Sequence, residues 1–372
     1  MLLLGVLAGA LSLLVLPHTR LYTANPPPMD LKRRDDSHKF AMWFQWVSTR
    51  RGLLAAAFLF VALQVSRADG KTHGMAHNEY PGKHWTQAVK PEDRGWSSEK
   101  LAAAKAYADS IDTAAVVIVD DGIIVSQWGV TTTKFNVHSI RKSFSERSAW
   151  HRAGAKGEID VNATLDQLGI DVTQPSLTLE KKKARVIDFL KARSGIYHAA
   201  LYESPAMKAE KPPRGSHPPR SFWSYNNWDF NALGTIYEKA AHDSIYHSFD
   251  TQIAQRIGME DYVPNKQEYV TGPDSIHRAY PFRMTARDMA RFGLLYMTDG
   301  KWRDAQLIPA RWVRDSTTAY SVADGNARDG YSGYGYLWWV AVNGNHYPGV
   351  ELPDGSFSAW GGGGHFIAVV PL

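Results

Sequence analysis

The stretch HSIRKSF (residues 138–144) contains a serine, Ser139, followed three residues later by a lysine, Lys142. On a helix, residues i and i+3 lie on one face, so the lysine amine can reach the serine hydroxyl. A serine in the first turn also lies at the positive end of the helix dipole, which favours an alkoxide. The spacing therefore predicts that Ser139 is a nucleophile and that Lys142 activates it.

The Ser-x-x-Lys pattern alone has little specificity, because Ser97-Ser98-Glu99-Lys100 matches it as well. There the serine is interpreted as a helix N-cap and the lysine as a surface residue. The sequence downstream must separate the two sites, and it favours Ser139.

Tyr225-Asn226-Asn227 is a Tyr-x-Asn element just before a predicted helix. A tyrosine there can relay a proton between Ser139 and a leaving group. The Asn227 amide can orient the lysine or a substrate carbonyl. Taken alone, Tyr225 is equally well explained as a core aromatic residue.

A glycine run, Trp360-Gly361-Gly362-Gly363-Gly364, precedes a predicted strand near the C-terminus. Glycine lets a backbone N–H approach a reacting carbonyl closely, as an oxyanion hole requires. By itself the run also fits a tight turn. Its occurrence after Ser-x-x-Lys and Tyr-x-Asn, in that order, favours the functional interpretation.

This motif order resembles that of class C β-lactamases, penicillin-binding proteins and family VIII carboxylesterases. Four longer stretches resemble the β-lactamase-related branch that includes 6-aminohexanoate-dimer hydrolase: HSIRKSF, DFLKARSGIYH (188–198), RGSHPPRSFWSYNNWDFNALG (214–234) and FRMTARDMARFGLLYM (282–297). Trp-Gly-Gly at 360–362 resembles the triplet that family VIII esterases carry where β-lactamases have Lys-Thr-Gly. The resemblance covers about residues 90–372.

The resemblance implies roles for individual residues: Ser139 as nucleophile, Lys142 as activator, Tyr225 as general base or acid and Asn227 as an orienting group. The oxyanion hole would combine the Ser139 N–H with a backbone N–H near Gly361, Gly362 or Gly363, on the strand that begins with Trp360 and binds substrate. Which of Lys142 and Tyr225 takes the first proton stays open.

The implied reaction is hydrolysis of a small ester or amide through an acyl-enzyme. β-Lactams and D-amino-acid peptides are not excluded. The absent Lys-Thr-Gly removes a cation that binds a β-lactam carboxylate, which favours esters or small amides. The alternative is a catalytically impaired family member that binds peptide or cell-wall fragments.

The fold implied is α/β plus all-α, β-lactamase/transpeptidase-like, with an antiparallel sheet built from both chain ends and a helical insertion domain. Local patterns predict a helix capped by Ser97 and a hairpin around Asp120-Asp121-Gly122. They also predict helices at 184–200, 228–245 and 285–298, a loop at 205–220, and strands at 334–342 and 366–370.

Two departures from the family pattern stand out. Ser145–Gly154 reads SERSAWHRAG and lacks the apolar face that a helix behind the nucleophile needs. The chain stops at Pro371-Leu372, where the family continues with another strand and a helix. With this C-terminal strand and helix missing, we expect an open sheet edge and a poorly soluble or weakly active protein.

The N-terminal part is predicted to be a targeting region, residues 1–68. Leu53–Val65 is an apolar run that follows Arg50-Arg51 and precedes Ser66-Arg67-Ala68. This layout is typical of a signal peptide, here residues 42–68, with a twin-arginine element. We expect export to the periplasm or the medium, with no stable membrane span after cleavage; the alternative is a membrane anchor at Leu53–Val65.

The rest of the chain is divided into a linker at 69–95 and a β-lactamase-related hydrolase domain at 96–372. An earlier apolar run, Leu2–Leu16, is interpreted as a second targeting segment or as sequence that is not normally translated.

Composition excludes several other functions. The net charge is +5, and no basic block is interleaved with aromatic residues, so we expect no nucleic-acid partner. There is no cysteine, which excludes disulfides, thiolate catalysis and Cys-ligated zinc. The fourteen histidines show no metal-binding spacing, so we expect no metal and no other cofactor. The expected partner is a small-molecule substrate, and the oligomeric state stays open.

Overall fold

The structure is a computed structural model that describes residues 79–145, 159–172, 175–322, 332–347 and 350–371, together with the backbone of residues 11–16. The residues of Ser145–Gly154 beyond Ser145 lie outside the described residues, and so does the predicted signal at 42–68.

The helices are α1 Ser98–Ser110, α2 Leu165–Leu168, α3 Leu179–Lys182, α4 Val186–Leu190, α5 Pro205–Glu210, α6 Asn227–Ala241, α7 Ile245–Phe249, α8 Ala286–Met297 and α9 Ala310–Ser316. Within the described residues, none of the helices is both long and apolar enough to cross a membrane.

The strands of the main sheet are β1 Leu11–Leu16, β2 Ala115–Asp120, β3 Ile123–Gly129, β8 Ser321–Val322, β9 Ser332–Tyr334, β10 Trp339–Ala341, β13 Phe357–Gly361 and β14 His365–Pro371. Three small two-stranded pairs lie beside it: β4 Phe135–Asn136 with β5 Arg283–Met284, β6 Lys301–Trp302 with β7 Ala305–Gln306, and β11 Asn345–Tyr347 with β12 Val350–Glu351.

The main sheet is antiparallel, with the strand order β3-β2-β1-β14-β13-β10-β9-β8. Both ends of the chain therefore contribute to it, and the helices α2–α7 lie between them in sequence. This confirms the predicted architecture of a sheet built from both termini with a helical insertion.

Helices cover both faces of the sheet. Val116 and Ile118 of β2 pack with α1 residues such as Leu101, whereas their neighbours Val117 and Val119 belong to the larger core that contains α8. Because alternate residues of a strand point to opposite faces, a strand between two helical layers is apolar throughout. All six β2 residues are buried.

Three local predictions are confirmed. Helix α1 begins after its N-cap Ser97, and α8 begins after its N-cap Thr285. The β2–β3 hairpin turns at Asp121 and Gly122, which both have positive φ angles of 47° and 84°. Asp-Gly is favoured there because both central residues of a type I′ turn need positive φ.

The predicted helix at 184–200 is wrong over its second half. Helix α4 ends at Leu190, and Ala192 and Gly195 then adopt φ angles of 54° and 69°. A Cβ atom on Gly195 would lie 2.6 Å from the carbonyl oxygen of His217. A packed neighbouring loop therefore fixes this turn, which local sequence does not reveal.

Other boundaries also differ from the prediction. The helix expected at 228–245 is two helices, because His242 takes a left-handed conformation and Ser244 caps α7. The loop at 205–220 includes α5, which Ser204 caps. The strand expected at 334–342 is divided at Gly335, where a Cβ would lie 2.0 Å from Ser316 O.

Part of the predicted linker is packed on the domain. The Ala88 N–H donates to Ile124 O, and the Ile124 N–H donates to Thr86 O. Tyr80 and Trp85 pack against the main core. Residues 79–95 therefore extend the folded domain beyond the boundary predicted at residue 96.

The N-terminal run Leu2–Leu16, expected to be a targeting or untranslated segment, provides β1. Leu11–Leu16 pairs with β14 from Pro371 to Phe366, and on its other side with β2. The expected open edge at β14 is therefore paired in this structure. Cleavage after Ala68 would remove β1 and leave unpaired backbone groups on both β2 and β14.

We expect Leu14→Pro to lower the thermal midpoint by several degrees and to reduce soluble yield. Leu14 is paired with Ala368 on one side and with Ile118 on the other. Proline removes a ladder hydrogen bond and is tolerated only at sheet edges. Thermal unfolding monitored by circular dichroism measures the effect, and Leu14→Ala, which keeps the backbone N–H, is the matched control. Equal midpoints for both variants would show that β1 adds no stability to the sheet.

Candidate active site

Ser139 lies in a single turn of 3-10 helix, His138–Ile140, between β4 and a helical segment that begins at Arg141. Ser139 is half-buried. His138, directly before it, has a φ angle of 48°, a region that side-chain-bearing residues rarely occupy. Such strain costs on the order of 1–3 kcal/mol and persists only where the surroundings hold it in place.

Two side chains hold the strained residue. The His138 N–H donates to Asn136 Oδ1 at 3.2 Å, and the imidazole Nδ1 lies 2.9 Å from the Tyr202 hydroxyl. The Asn136 amide in turn donates to the same hydroxyl at 2.8 Å. The backbone immediately before Ser139 is therefore fixed by a three-residue network.

Lys142 is buried, with 1% of its surface exposed. Its Nζ lies 2.9 Å from Ser139 Oγ and forms a short hydrogen bond with the Tyr225 hydroxyl. The amine also lies 4.0 Å from the ring centroid of Tyr225 and 4.3 Å from that of Phe230. The structure thus brings the three predicted residues Ser139, Lys142 and Tyr225 within hydrogen-bond reach of one another.

The environment favours a neutral lysine amine. Burial, and next the charge of Arg141, hold the pKa of Lys142 well below its usual value, while Glu203 acts in the opposite direction. Burial raises the pKa of Tyr225 to about 12. A neutral amine accepts a proton and a phenol donates one, so the pair suits proton transfer in both directions.

Tyr225 is positioned by the start of α6. Asn226 caps this helix, and its Oδ1 accepts from the Asp229 N–H at 3.2 Å. Asn227 begins the helix, but its amide donates to the Tyr202 carbonyl and not to Lys142. The predicted contact of this amide with Lys142 is therefore absent among the described residues, and Asn227 instead holds Tyr202, the residue that also contacts His138.

The glycine strand, here the end of β13 with the glycines 361–363, approaches the nucleophile turn, here the turn 137–140 that carries the predicted nucleophile Ser139. A Cβ on Gly361 would lie 2.4 Å from Val137 O, and one on Gly362 would lie 3.9 Å from His138. Gly363 forms the β13–β14 turn with a φ angle of 80°. The end of β13 thus runs beside the backbone that carries Ser139, as the predicted oxyanion site requires.

Trp360 belongs to an aromatic stack beside these residues. Its ring lies 4.6 Å from that of Trp339 at an angle of 15°, and Trp339 lies 5.7 Å from Tyr225. The Trp360 Nε1–H donates to Ser358 Oγ. A second ring, that of Tyr347, stacks on Trp360 at 5.7 Å and 19°, so Trp360 supports Trp339 from behind.

A small cavity that opens to solvent adjoins Tyr225. Its lining combines aromatic and apolar side chains with charged and polar ones. It is lined by Met207, Glu210, Lys211, Trp223, Ser224, Tyr225, Asn226 and Trp339.

Sequence reasoning missed several of these residues. Tyr202 is a single tyrosine in a coil, and no motif distinguishes it. Trp339 lies in an aromatic stretch that reads equally well as a core strand. Arg141 stands inside the Ser-x-x-Lys motif. Its charge, directly beside the lysine predicted to activate Ser139, was the signal that could have identified it.

Ser97, the competing serine, has a structural role. Its hydroxyl accepts from the Lys100 N–H at 3.3 Å and caps α1. This geometry agrees with its interpretation as an N-cap.

Comparison with protein families matches the beta-lactamase family model to residues 99–372. No curated protein sequence matches significantly. The matched region includes Ser139, Lys142, Tyr225 and the glycine strand, and it starts within α1.

Among solved structures, a Bacillus anthracis protein described as a 6-aminohexanoate-dimer hydrolase is similar at 20% identity and a TM-score of 0.55, covering 80% of this chain and 84% of its own. An octameric penicillin-binding protein homologue from Pyrococcus abyssi has 16% identity and a TM-score of 0.46, covering 67% of each chain. A D-stereospecific amidohydrolase from Streptomyces sp. has 16% identity and a TM-score of 0.43, covering 66% and 85%. The first likeness supports the β-lactamase/transpeptidase-like fold.

We expect Gly361→Ala to lower the thermal midpoint by several degrees, because its Cβ would collide with the Val137 carbonyl and push the nucleophile turn away from β13. Gly362→Ala is the matched control, since its Cβ has only ordinary contacts. Differential scanning calorimetry measures both. Two variants of equal stability would contradict the close approach of β13 to Val137.

Proposed function

This chain belongs to the beta-lactamase family, and we propose that it is a serine hydrolase that cleaves a small ester or amide through an acyl-enzyme. One observation carries the proposal: Ser139 Oγ, Lys142 Nζ and the Tyr225 hydroxyl form a connected group beside a cavity. A serine hydroxyl in contact with a buried amine is the arrangement that an activated nucleophile needs.

In the first step, Ser139 Oγ attacks the substrate carbonyl carbon and its proton moves to the neutral Lys142 amine. The developing oxyanion accepts hydrogen bonds from the Ser139 N–H and from a backbone N–H of the strand end at Gly361–Gly363. These donors are part of the folded backbone, so they need no reorganisation when the charge forms.

In the second step, the tetrahedral intermediate collapses and the leaving group takes a proton from the Tyr225 hydroxyl, which Lys142 resupplies. The phenol suits this role because its pKa of about 12 keeps it protonated at neutral pH. Water then attacks the acyl-enzyme by the reverse proton path and releases the acid and Ser139.

The cavity supports an apolar substrate. Trp223, Trp339 and Met207 form an apolar wall next to Tyr225. At the position where β-lactamases carry a lysine, β13 carries Trp360, an uncharged residue that stacks between Trp339 and Tyr347, and the Trp339 ring lines the cavity. An aromatic face binds an apolar or planar acyl or alcohol group better than it binds a carboxylate. We therefore favour esters and small amides over β-lactams.

Replacement of the nucleophile tests the proposal. Ser139→Ala is expected to abolish hydrolysis of a short-chain p-nitrophenyl ester, because no other atom of the group can form the acyl-enzyme. Ser97→Ala is the matched control and retains activity, since that hydroxyl caps α1. Release of p-nitrophenol by the purified variants measures the effect. Full activity in both variants would refute the assignment of Ser139, and an inactive wild-type chain that still binds substrate would favour the binding-protein alternative.

Trp339→Ala tests the substrate class. In this variant, the ratio of kcat/KM for a substrate with a larger apolar group to kcat/KM for the acetate is expected to fall about 10-fold. A methylene group bound in an apolar pocket changes kcat/KM by on the order of 10-fold or more. The kcat/KM values are measured for two series of substrates. The first, from p-nitrophenyl acetate to p-nitrophenyl hexanoate, varies the acyl group, and the second, from methyl acetate to phenyl acetate, varies the alcohol. The first acetate of each series is its reference. Unchanged selectivity in both series would show that this cavity does not bind the substrate.

A further inference from the structure

Arg141, between Ser139 and Lys142 in the chain, carries a guanidinium group that is completely buried. Its Nη2 donates to Asn231 Oδ1 at 2.8 Å, and its Cζ lies 4.3 Å from the ring centroid of Tyr280. Both contacts are made with uncharged groups. The Nε and Nη1 atoms are buried without a hydrogen-bond partner in the described part of the chain.

Such a site is costly. Arginine stays protonated in proteins, and a buried cation is normally paired with a carboxylate. Stacking on Tyr280 and one amide contact compensate only part of the lost hydration. Because its contacts within the described ranges are uncharged, no described carboxylate cancels the positive charge of Arg141, which acts on the groups around it.

The nearest ionisable group along the chain is Lys142. Other charged or titratable groups that act on this lysine come from different elements. Glu203 raises the pKa of Lys142 and so acts against Arg141. Lys211 forms an ion pair with the Glu203 carboxylate at 2.6 Å and offsets its charge. Tyr225 and His138 are uncharged at neutral pH, because burial raises the pKa of the first and lowers that of the second.

We infer that Arg141 is a positioning residue whose fixed positive charge keeps the Lys142 amine unprotonated in the resting protein. The inference rests on the proposed function for its consequence in catalysis, but the charge effect itself does not depend on turnover. A protonated Lys142 cannot accept the Ser139 proton, so Arg141 extends the pH range in which the nucleophile is activated.

The direction in which the pKa of Lys142 changes follows from the charge of Arg141. Removing or neutralising the Arg141 charge stabilises protonated Lys142 and raises its pKa. The amine then becomes neutral only at higher pH, so the acid limb of the pH–rate profile moves upward. A nearby charge typically shifts a pKa by about one unit or more.

Two variants remove the charge effect in different ways. Arg141→Met deletes the cation, and Asn231→Asp places a carboxylate of nearly the same shape against the guanidinium. Arg141→Lys keeps the charge and is the conservative control. Circular dichroism melts establish that each protein is folded, and Asn231→Asp keeps the inference testable if Arg141→Met does not fold.

The decisive measurement is an NMR titration of protein that carries ¹³C-labelled lysine, with the Lys142 signal identified by its loss in Lys142→Met. Lys142 is expected to titrate well below the other lysines in the wild type, about one pH unit or more higher in Arg141→Met and Asn231→Asp, and near the wild-type position in Arg141→Lys. The acid limb of kcat/KM for a p-nitrophenyl ester should shift in parallel.

Arg141 would be merely structural if the folded charge variants titrated Lys142 at the wild-type pH and lost activity equally at every pH. That outcome overturns the inference. If the pH at which Lys142 titrates rises in the charge variants but the wild-type protein has no esterase activity, the inference about Arg141 is supported and the proposed function is refuted. The two failures are therefore distinguishable.

Discussion

Burial of one lysine amine is the constraint on which the site depends. Lys142 has almost no exposed surface, and its amine contacts a serine hydroxyl, a phenol and two aromatic rings rather than a carboxylate. An interior ammonium without a counter-ion is so unfavourable that the group becomes neutral instead. The packing that buries Lys142 therefore also makes the larger contribution to keeping the amine neutral, and the charge of Arg141 adds to it.

The fold brings the parts of the site together from three places in the chain. Ser139 is supplied locally by the three-residue spacing, Tyr225 by the start of α6 in the helical insertion, and the glycine strand by β13 of the sheet. The site thus lies where the two parts of the domain meet. Tyr202 connects them, because its hydroxyl contacts His138 and its carbonyl accepts from Asn227. The strained φ of His138 is maintained by this cross-connection.

Features governed by local chemistry could be predicted from the sequence. Ser97 and Thr285 cap helices because a side-chain oxygen satisfies a free backbone N–H a few residues away. Asp121-Gly122 turns the hairpin because both residues tolerate positive φ. The same holds for Ser139 and Lys142, whose contact needs only one turn of helix.

Features decided by distant contacts could not be predicted. Helix α4 stops early because the loop at His217 fills the space beside Gly195. The Asn227 amide binds the Tyr202 carbonyl, which lies in a coil without any motif. The pairing of β1 with β2 and β14 depends on backbone groups, and an apolar run such as Leu2–Leu16 reads equally well as a leader or as a central strand.

The central claim is that Ser139 Oγ is the nucleophile that becomes acylated in a covalent acyl-enzyme. It is tested most directly by treating the full-length protein with a fluorophosphonate, which transfers its phosphonyl group to an activated serine with loss of fluoride, and by locating the adduct with tandem mass spectrometry. The account predicts one adduct per chain, on Ser139, and its loss in Lys142→Met while the protein stays folded. An adduct on another serine, or none on a folded wild-type chain, would contradict it.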